Sequence, residues 1–259
     1  MKTSRLQKTE AVVLKTQRSG ETSKIIILYS QKFGKIKVIA KGSRGLKSRY
    51  YGTLEPLNHI SIVYYFKETR EIQFLSQADI IHPYQKIRAN LYKFALAAIV
   101  AELIDRTQME QANPYLYQIL IDTLTGIDRA QKNLINFYHW FMLKFLKLSG
   151  FDPDFNHCAA CKTQNPGEKA RFSIINGNFI CEKCKVQDPT ALSVSINAIR
   201  HLRTLQLTSA NKLEAITNPA TYDCDRLLLS FLQFHIEETK YLNSLKFIRQ
   251  IQNKNPNPR

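Results

Sequence analysis

Four cysteines in two CxxC pairs are the residues of this chain whose type and spacing most clearly indicate chemistry. The pairs are Cys158 with Cys161 and Cys181 with Cys184, and nineteen residues separate them. Two thiolates three positions apart on a tight turn can take two corners of a tetrahedron, and a second turn supplies the other two. This spacing predicts one structural Zn²⁺ ion with four sulfur ligands. A lost site or a redox-active one is the alternative.

The residues between the two pairs are expected to form a short hairpin. Residues 171–180 contain two β-type runs around Asn176-Gly177, which is a strong two-residue turn signal. The hairpin would return Cys181 to the side of Cys158. We expect His157 not to replace a cysteine ligand, and the fifth cysteine, Cys224, to be an inert thiol on a helix.

The charge of the chain indicates a polyanionic partner. Lys and Arg total 37 against 21 Asp and Glu, which gives a net charge of +16 and a pI of about 9.7. Residues 32–49 contain seven cations and no acid. Such a surface indicates nucleic acid, with an anionic membrane or a simple solubility device as alternatives.

Residues 10–80 have the composition of β-strands. Five short runs rich in β-branched and aromatic residues are separated by glycines, and residues 35–41 alternate cleanly between apolar and mainly basic positions. The runs are 11–14, 24–29, 35–40, 60–65 and 71–75. Five short strands in about seventy residues suggest a small closed barrel, of which the OB-fold is a common nucleic-acid-binding form. We therefore expect an OB-fold domain at residues 1–81.

The hydrophobic period becomes helical after Pro83, so the fold class is α+β. A helical domain is expected at residues 82–150 and 190–251, with a zinc-binding module inserted at 151–189 and a disordered tail at 252–259. The expected helices cover 91–104, 114–127, 133–148, 195–207 and one long segment from about 224 to 251.

Several function classes are excluded by missing signals. The sequence has no glycine-rich nucleotide-binding motif and no protease or hydrolase signature, so we expect no enzyme. No stretch is apolar enough to span a bilayer, and the N-terminus lacks the apolar core of a secretory signal. Metal-spaced cysteines fit the reducing cytoplasm, where a DNA-binding protein would be associated with the nucleoid.

Three segments together resemble the RecO family of bacterial recombination mediators. The first is the GETSKIIILYS run from Gly20, followed by the AKGSR loop from Ala40. The second is the LSGFDP run from Leu148, shortly before the first cysteine pair. The third combines Gly177 with the second pair. The late helix around residues 226–247 is also similar, so the resemblance covers essentially the whole chain.

The resemblance implies an N-terminal OB domain, a helical domain and an inserted zinc module, whose cysteines some members lack, as suits a structural metal. It also implies binding of single- and double-stranded DNA and annealing of complementary strands. The implied partners are RecR and the C-terminal tail of single-stranded-DNA-binding protein (SSB), with the RecA filament reached indirectly. Two alternatives stay open: an RNA-binding, translation-associated OB and zinc-ribbon protein, and a redox or metal-handling protein.

The candidate DNA-binding residues lie on the basic β-segment and its loops. The phosphate contacts we expect are Lys35, Lys37, Lys41, Arg44, Lys47 and Arg49, followed by Arg18 and Lys24. The candidates for stacking on bases are Tyr50, Tyr51, Tyr64 and Tyr65. Because strand residues alternate between faces, about half of these tyrosines must point into the barrel.

Overall fold

The structure, a computed structural model, describes residues 5–45, 47–107, 111–185 and 187–254 of the 259-residue chain. The strands are β1 Arg5–Ser19, β2 Ser23–Ser30, β3 Gly34–Ala40, β4 His59–Phe66, β5 Ile72–His82, β6 Asp154–Cys158, β7 Lys169–Ser173, β8 Asn178–Ile180 and β9 Leu192–Ser195. The α-helices are α1 Gln85–Ala89, α2 Leu91–Arg106, α3 Pro114–Arg129, α4 Ile135–Leu148, α5 Ile196–Leu207, α6 Thr221–His235 and α7 Asn243–Lys254. The expected mixed α+β class, with an N-terminal sheet and C-terminal helices, is confirmed.

The first five strands close into a barrel in the order β1-β2-β3-β5-β4. All the strand pairs are antiparallel except β3 with β5, which run parallel and close one side. The inward residues of the strands are mainly apolar and fill the interior of the barrel, whereas the outward residues are mixed. The buried cluster inside includes Ile26, Leu28, Val38, Ile62 and Tyr64.

The chain divides into two compact units. Among the described residues, the first unit takes those up to Ile121 and those from Leu242 onward, and the second takes Asp122–Tyr241. The first unit therefore contains the barrel, α1, α2, α7 and the first half of α3. The second contains α4, α5, α6 and the four short strands β6–β9.

In the first unit, the late helix α7 is attached to α2. The Glu102 carboxylate on α2 accepts hydrogen bonds from the backbone N–H groups of Asn243 (3.0 Å) and Ser244 (2.8 Å), where α7 begins. It also accepts the Ser244 hydroxyl at 2.6 Å. The rings of Phe94 and Phe247 meet edge to face, with centroids 6.4 Å apart.

In the second unit, α4 is the central helix and almost all of its residues are buried. Its polar side chains are satisfied by neighbouring segments. The Asn136 amide nitrogen donates to the carbonyls of Leu213 (3.0 Å) and Ile216 (2.6 Å). The Trp140 indole donates to the Thr208 carbonyl at 2.9 Å.

The four short strands of the second unit form a sheet in the order β6-β8-β7-β9. The expected hairpin is confirmed as β7 and β8, which pair antiparallel. Its turn is four residues long, from Ile174 to Gly177, and Gly177 has a φ of 67° that a side chain would resist. A Cβ atom there would also meet the Phe231 ring at 3.3 Å.

The prediction of one long helix from about 224 to 251 is wrong. The helix ends at His235, and a 3-10 turn at Glu237–Thr239 separates it from α7. Buried Thr239 explains part of the break, because its hydroxyl donates to the Ile236 carbonyl at 2.6 Å. Helix α7 runs to Lys254, into the segment expected to be a disordered tail, whose residues 255–259 lie outside the described residues. None of the helices in the described part of the chain is long and apolar enough to cross a membrane.

Candidate metal centre and nucleic-acid interface

The two CxxC pairs come together at one end of the second unit's sheet. Each pair forms a tight turn, with Lys162 N donating to Cys158 O and Cys184 N donating to Cys181 O, both at 3.1 Å. Cys158 is the last residue of β6, and Cys181 directly follows β8. Because β6 and β8 are neighbours in the sheet, the two turns lie side by side, as the hairpin prediction required.

The four sulfur atoms have the spacing that a tetrahedral metal site needs. All four Sγ atoms lie within 4.8 Å of one another, and those of Cys161 and Cys181 are 3.6 Å apart. A zinc–sulfur bond of about 2.3 Å in tetrahedral geometry puts the ligands about 3.8 Å apart. The donor set is therefore suited to a metal ion that prefers four thiolates, and the residues present fit Zn²⁺.

The backbone around Cys158 favours its thiolate form. Burial opposes the charge, but the N–H groups of Cys181, Cys161 and Ala160 point at the sulfur and lower the pKa of Cys158 to about 6. The bond from Cys181 N to the Cys158 sulfur is 3.4 Å long. Hydrogen bonding to the Cys161 and Cys181 thiols raises the pKa of Cys184 to about 12. The backbone thus favours the thiolate form at one sulfur. Four thiolates at this spacing would repel one another, so they require a bound cation.

Neither His157 nor Cys224 belongs to the sulfur cluster. The His157 ring pairs with Asp154 through Nδ1, 3.0 Å from the carboxylate, and is not part of the sulfur cluster. Cys224 lies fully buried on α6, where burial raises its pKa to about 12 and so disfavours the thiolate.

The basic segment predicted to bind DNA lies on β3 and on the loop that follows it. Lys37 pairs with exposed Glu71, and Lys41 lies over the Phe74 ring, 5.0 Å from its centroid. Arg44 Nη1 donates to the Gly20 carbonyl at 2.9 Å, which ties this loop to the β1–β2 turn. Glu71 is fully exposed and its pKa is lowered by its bond to Lys37. Exposed pairs of this kind are worth little, so phosphate can replace the partner.

The remaining candidate cations differ in how accessible their charged groups are to a phosphate. Lys47 and Arg18 are exposed. Arg49 lies 4.8 Å from the centroid of the Tyr50 ring and donates to its hydroxyl at 2.8 Å. Lys24 pairs with Glu55 at 3.0 Å, and Lys35 donates to the Asp105 carbonyl at 2.8 Å. Because Lys24 and Lys35 are half-buried and already bonded, they are the weaker candidates.

Two of the four candidate tyrosines are exposed and two are buried, in line with the expectation that about half point into the barrel. Tyr51 and Tyr65 are 68% and 42% exposed, whereas Tyr50 and Tyr64 are 4% and 1% exposed. The interpretation of Tyr50 and Tyr64 as stacking candidates is therefore wrong, because both side chains belong to the barrel core. Sequence reasoning missed Phe74 and Arg70, whose guanidinium lies 4.7 Å from the centroid of the Phe74 ring. The alternation along β5 could have identified Phe74, because Gln73 and Leu75 are buried and the residue between them must face outward.

The fold and the site define a mixed α+β protein with a basic barrel and a cluster of four cysteines close enough to hold a metal ion. Two family models match it: Recombination protein O N terminal over residues 1–84, and Recombination protein O C terminal over residues 88–246. The chain belongs to the RecO family.

Curated relatives match over nearly the full length. The DNA repair protein RecO of Bacillus subtilis (strain 168) is 30% identical over 249 residues, which cover 95% of each chain. The protein of the same name from Bacillus velezensis is 31% identical over 252 residues, again 95% of each chain. That of Thermoanaerobacter sp. (strain X514) is 29% identical over 254 residues, 96% of this chain and 99% of the relative. The predicted family resemblance is confirmed.

Proposed function

We propose that this protein is a mediator of DNA repair and homologous recombination. It binds single- and double-stranded DNA and anneals complementary strands. Together with RecR it helps to load the RecA recombinase onto single strands coated with SSB, whose C-terminal tail it contacts. The observation that carries the proposal is the cationic face of β3 and its following loop, on a chain that belongs to the RecO family.

The barrel supports an OB-fold as the DNA-binding element of this proposal. A five-stranded Greek-key barrel of this size uses the face of strands 2 and 3 and the loops between strands 1–2 and 4–5 to bind oligonucleotides. Here β5 lies between β3 and β4, and the parallel β3–β5 pair closes the barrel. The candidate cations Lys37 and Lys41 lie on or just after β3, and Arg44 contacts the β1–β2 turn.

Annealing needs no catalytic residue, so the proposed protein is not an enzyme. Two complementary strands repel each other through their phosphates, and cationic side chains reduce this repulsion when they displace condensed counterions. The bases must stay accessible to the second strand, which a shallow surface allows and a closed cleft would not. We expect annealing to take place on chromosomal DNA in the cytoplasm.

We also propose that the cysteine cluster binds one Zn²⁺ ion with a structural role. Cys158, Cys161, Cys181 and Cys184 would occupy all four tetrahedral positions, which leaves none for substrate. The finer domain division belongs to the same proposal: a barrel domain at 1–81, a helical domain at 82–150 and 190–251, and a zinc module at 151–189.

The function is tested by strand annealing with complementary oligonucleotides, bare and coated with SSB, across a salt series. We expect acceleration on coated strands that fades as the salt concentration rises. An RNA pair of the same sequence is the parallel arm. Salt-dependent binding without annealing, or a preference for RNA, would overturn the proposal in favour of an RNA-binding protein.

The location of the DNA site is tested by a triple variant, Lys37→Ala, Lys41→Ala and Arg44→Ala. We expect weaker binding to single strands and a smaller salt slope, by about 0.7 per lost phosphate contact. The matched control changes three exposed cations of the second unit, Lys132, Arg200 and Lys212, to alanine. If the control lowers the slope and the barrel variant does not, the DNA site is not on the barrel.

A further inference from the structure

The outer face of the barrel carries a continuous apolar row that the core does not use. Its members are opposite one another across four strand pairs, so their side chains project from the same face. They are Ile25, Ile39, Phe74, Tyr65 and Leu6. Leu6 and Tyr65 are 60% and 42% exposed, Ile25, Ile39 and Phe74 are half-buried, and none of the five belongs to the buried cluster. Apolar residues in register on an exposed face indicate a surface that meets a ligand.

Two cations lie over the ring of Phe74, which is at the centre of the row. Lys41 Nζ lies 5.0 Å and Arg70 Cζ lies 4.7 Å from the centroid of the ring. Lys41 comes from the end of β3 and Arg70 from the β4–β5 turn, so the two arrive from different segments. A partner for this surface must offer flat apolar groups and closely spaced negative charges.

The β4–β5 turn is held in place by a buried side chain. Gln73 accepts a hydrogen bond from Lys67 N at 2.8 Å, and its amide nitrogen donates to the carbonyls of Lys67 (3.2 Å) and Arg70 (2.6 Å). Gln73 lies next to Phe74 in β5 and points inward, whereas Phe74 points outward. Gln73 thus fixes the backbone that carries Arg70, and it is the neighbour of Phe74 in β5. This backbone is therefore ordered before any ligand arrives, whereas the side chains of Lys41 and Arg70 can still move.

We infer that Phe74, with Tyr65 and Ile39 beside it, is a stacking site for an unpaired base of single-stranded nucleic acid, and that Lys41 and Arg70 bind the adjacent phosphates. This inference rests on the proposed nucleic-acid-binding function and deepens it. A cation over a ring that solvent still reaches, as at half-buried Phe74, contributes only about 2- to 5-fold in an equilibrium constant. A stacked base contributes about 5- to 150-fold. The base therefore replaces the cations on the ring, and they move to the phosphates.

The site distinguishes single strands from duplexes. In a duplex each base is stacked between its neighbours, and its flat face is not accessible to a side chain on a barrel surface. Phosphates, in contrast, are present in both forms. The row should therefore add affinity for single strands only, above a background that the cations give to both forms.

The inference is tested by substitution of Phe74 combined with removal of the bases. Affinity is measured by fluorescence anisotropy at one salt concentration. The probes are an oligothymidylate, an abasic strand of equal length, and a duplex. For Phe74→Ala we expect a loss of about 5- to 150-fold on oligothymidylate, with binding to the abasic strand and to the duplex within about 2-fold of the original protein. Phe74→Leu, which keeps apolar volume without a ring, should show the same selective loss.

Tyr222→Ala is the matched control. Tyr222 is an exposed aromatic residue of the second unit, and Arg226 lies 6.0 Å from the centroid of its ring. Its removal should change none of the three affinities. An equal loss on all three probes after both Phe74 substitutions would overturn the inference and assign Phe74 a structural role. Unchanged binding would also overturn it and leave the row as a protein-binding surface. If the original protein binds no probe, the proposed function itself fails.

Discussion

The two sheets of this protein are stabilised in different ways. The barrel has five strands of 7–15 residues, closes on itself and encloses a buried apolar cluster. The second sheet has four strands of only 3–5 residues and remains open. Short open sheets bury too little surface to be stable alone, so they depend on neighbouring helices and on cross-links. Perturbations should therefore affect one sheet without the other.

The largest expected effect comes from removing one ligand of the cysteine cluster. Cys158→Ser should abolish stoichiometric metal binding and destabilise the second unit by several kcal/mol, because binding energy at a structural zinc site contributes directly to folding. The barrel's binding to oligonucleotides should change little in the protein that remains folded. Metal content by mass spectrometry, thermal unfolding and DNA affinity together test this separation.

The control for that prediction is Cys224→Ala. Cys224 is buried on α6, and it is the one cysteine in the described chain outside the sulfur cluster. The variant should keep its metal while losing a modest amount of packing energy. If a folded Cys158→Ser protein loses annealing, the two sheets are not independent in function, because the metal then takes a direct part in annealing.

Acid should destabilise the second unit through buried His201. Because the Asn136 amide nitrogen donates to two carbonyls, its oxygen must accept from His201 Nε2, at 3.0 Å. Burial, followed by the nearby His139, lowers the pKa of His201 to about 4. The unfolded chain therefore binds an extra proton between about pH 6.5 and pH 4. Stability is fully present above pH 6.5 and should fall by up to about 3 kcal/mol as the pH drops to 4.

His201→Gln tests this contribution, because glutamine keeps an N–H donor and does not titrate. Denaturant unfolding of both proteins is compared at pH 7.5 and pH 4.5. The variant should lose less stability than the original protein across this range. An identical loss in both would show that other groups control the response to acid.

A smaller effect is expected where a glycine is packed against a ring. A Cβ atom at Gly126 would lie 2.1 Å from the Phe137 ring, which is buried and has little room to move. Alanine improves helix propensity by about 1 kcal/mol, whereas overpacking costs about 1–3 kcal/mol. Gly126→Ala should therefore be net destabilising, and combining it with Phe137→Leu should recover part of the loss. Gly45→Ala, on the barrel's loop with no atom within 4 Å, should be nearly neutral.

Local patterns in the sequence predict the regular elements well. Runs of β-branched and aromatic residues located all five barrel strands, although β1 and β5 extend well beyond their runs, and the 3.6-residue period placed α2, α3, α4 and α5 within a few residues of their bounds. The four clustered cysteines were predicted to lie together because the spacing within each CxxC pair is a local property. Strands β6 and β9 were not predicted, because runs of 4 or 5 residues carry too little periodic signal.

Features that depend on distant partners were not predictable from local patterns. The apolar row around Phe74 exists only because β3 and β5 pair in parallel with one particular register. The break between α6 and α7 has the same origin. No glycine or proline interrupts residues 224–251, so the sequence favours one helix. The acceptor that starts α7 is Glu102, 141 residues away from Asn243.

Removal of that acceptor should have an effect similar in size to that of Gly126→Ala. Glu102→Ala should destabilise α7 by about 1–2 kcal/mol, because two backbone N–H groups and the Ser244 hydroxyl lose a charged partner. Burial raises the pKa of Glu102, but its bonds to Ser244 and Asn243 outweigh this and hold the pKa below its usual value. Its contribution is therefore present above about pH 4.5 and is lost as the pH falls through the lowered pKa.

Hydrogen exchange of the amides in 243–254 measures this effect directly. Exchange should accelerate in Glu102→Ala while the barrel amides and the metal content stay unchanged. Glu71→Ala, which removes only an exposed ion pair with Lys37, should leave α7 protected. If α7 exchanges at the original rate without Glu102, packing such as the Phe94–Phe247 contact is sufficient to hold it. The helix break would then be caused by Thr239 and not by the cap.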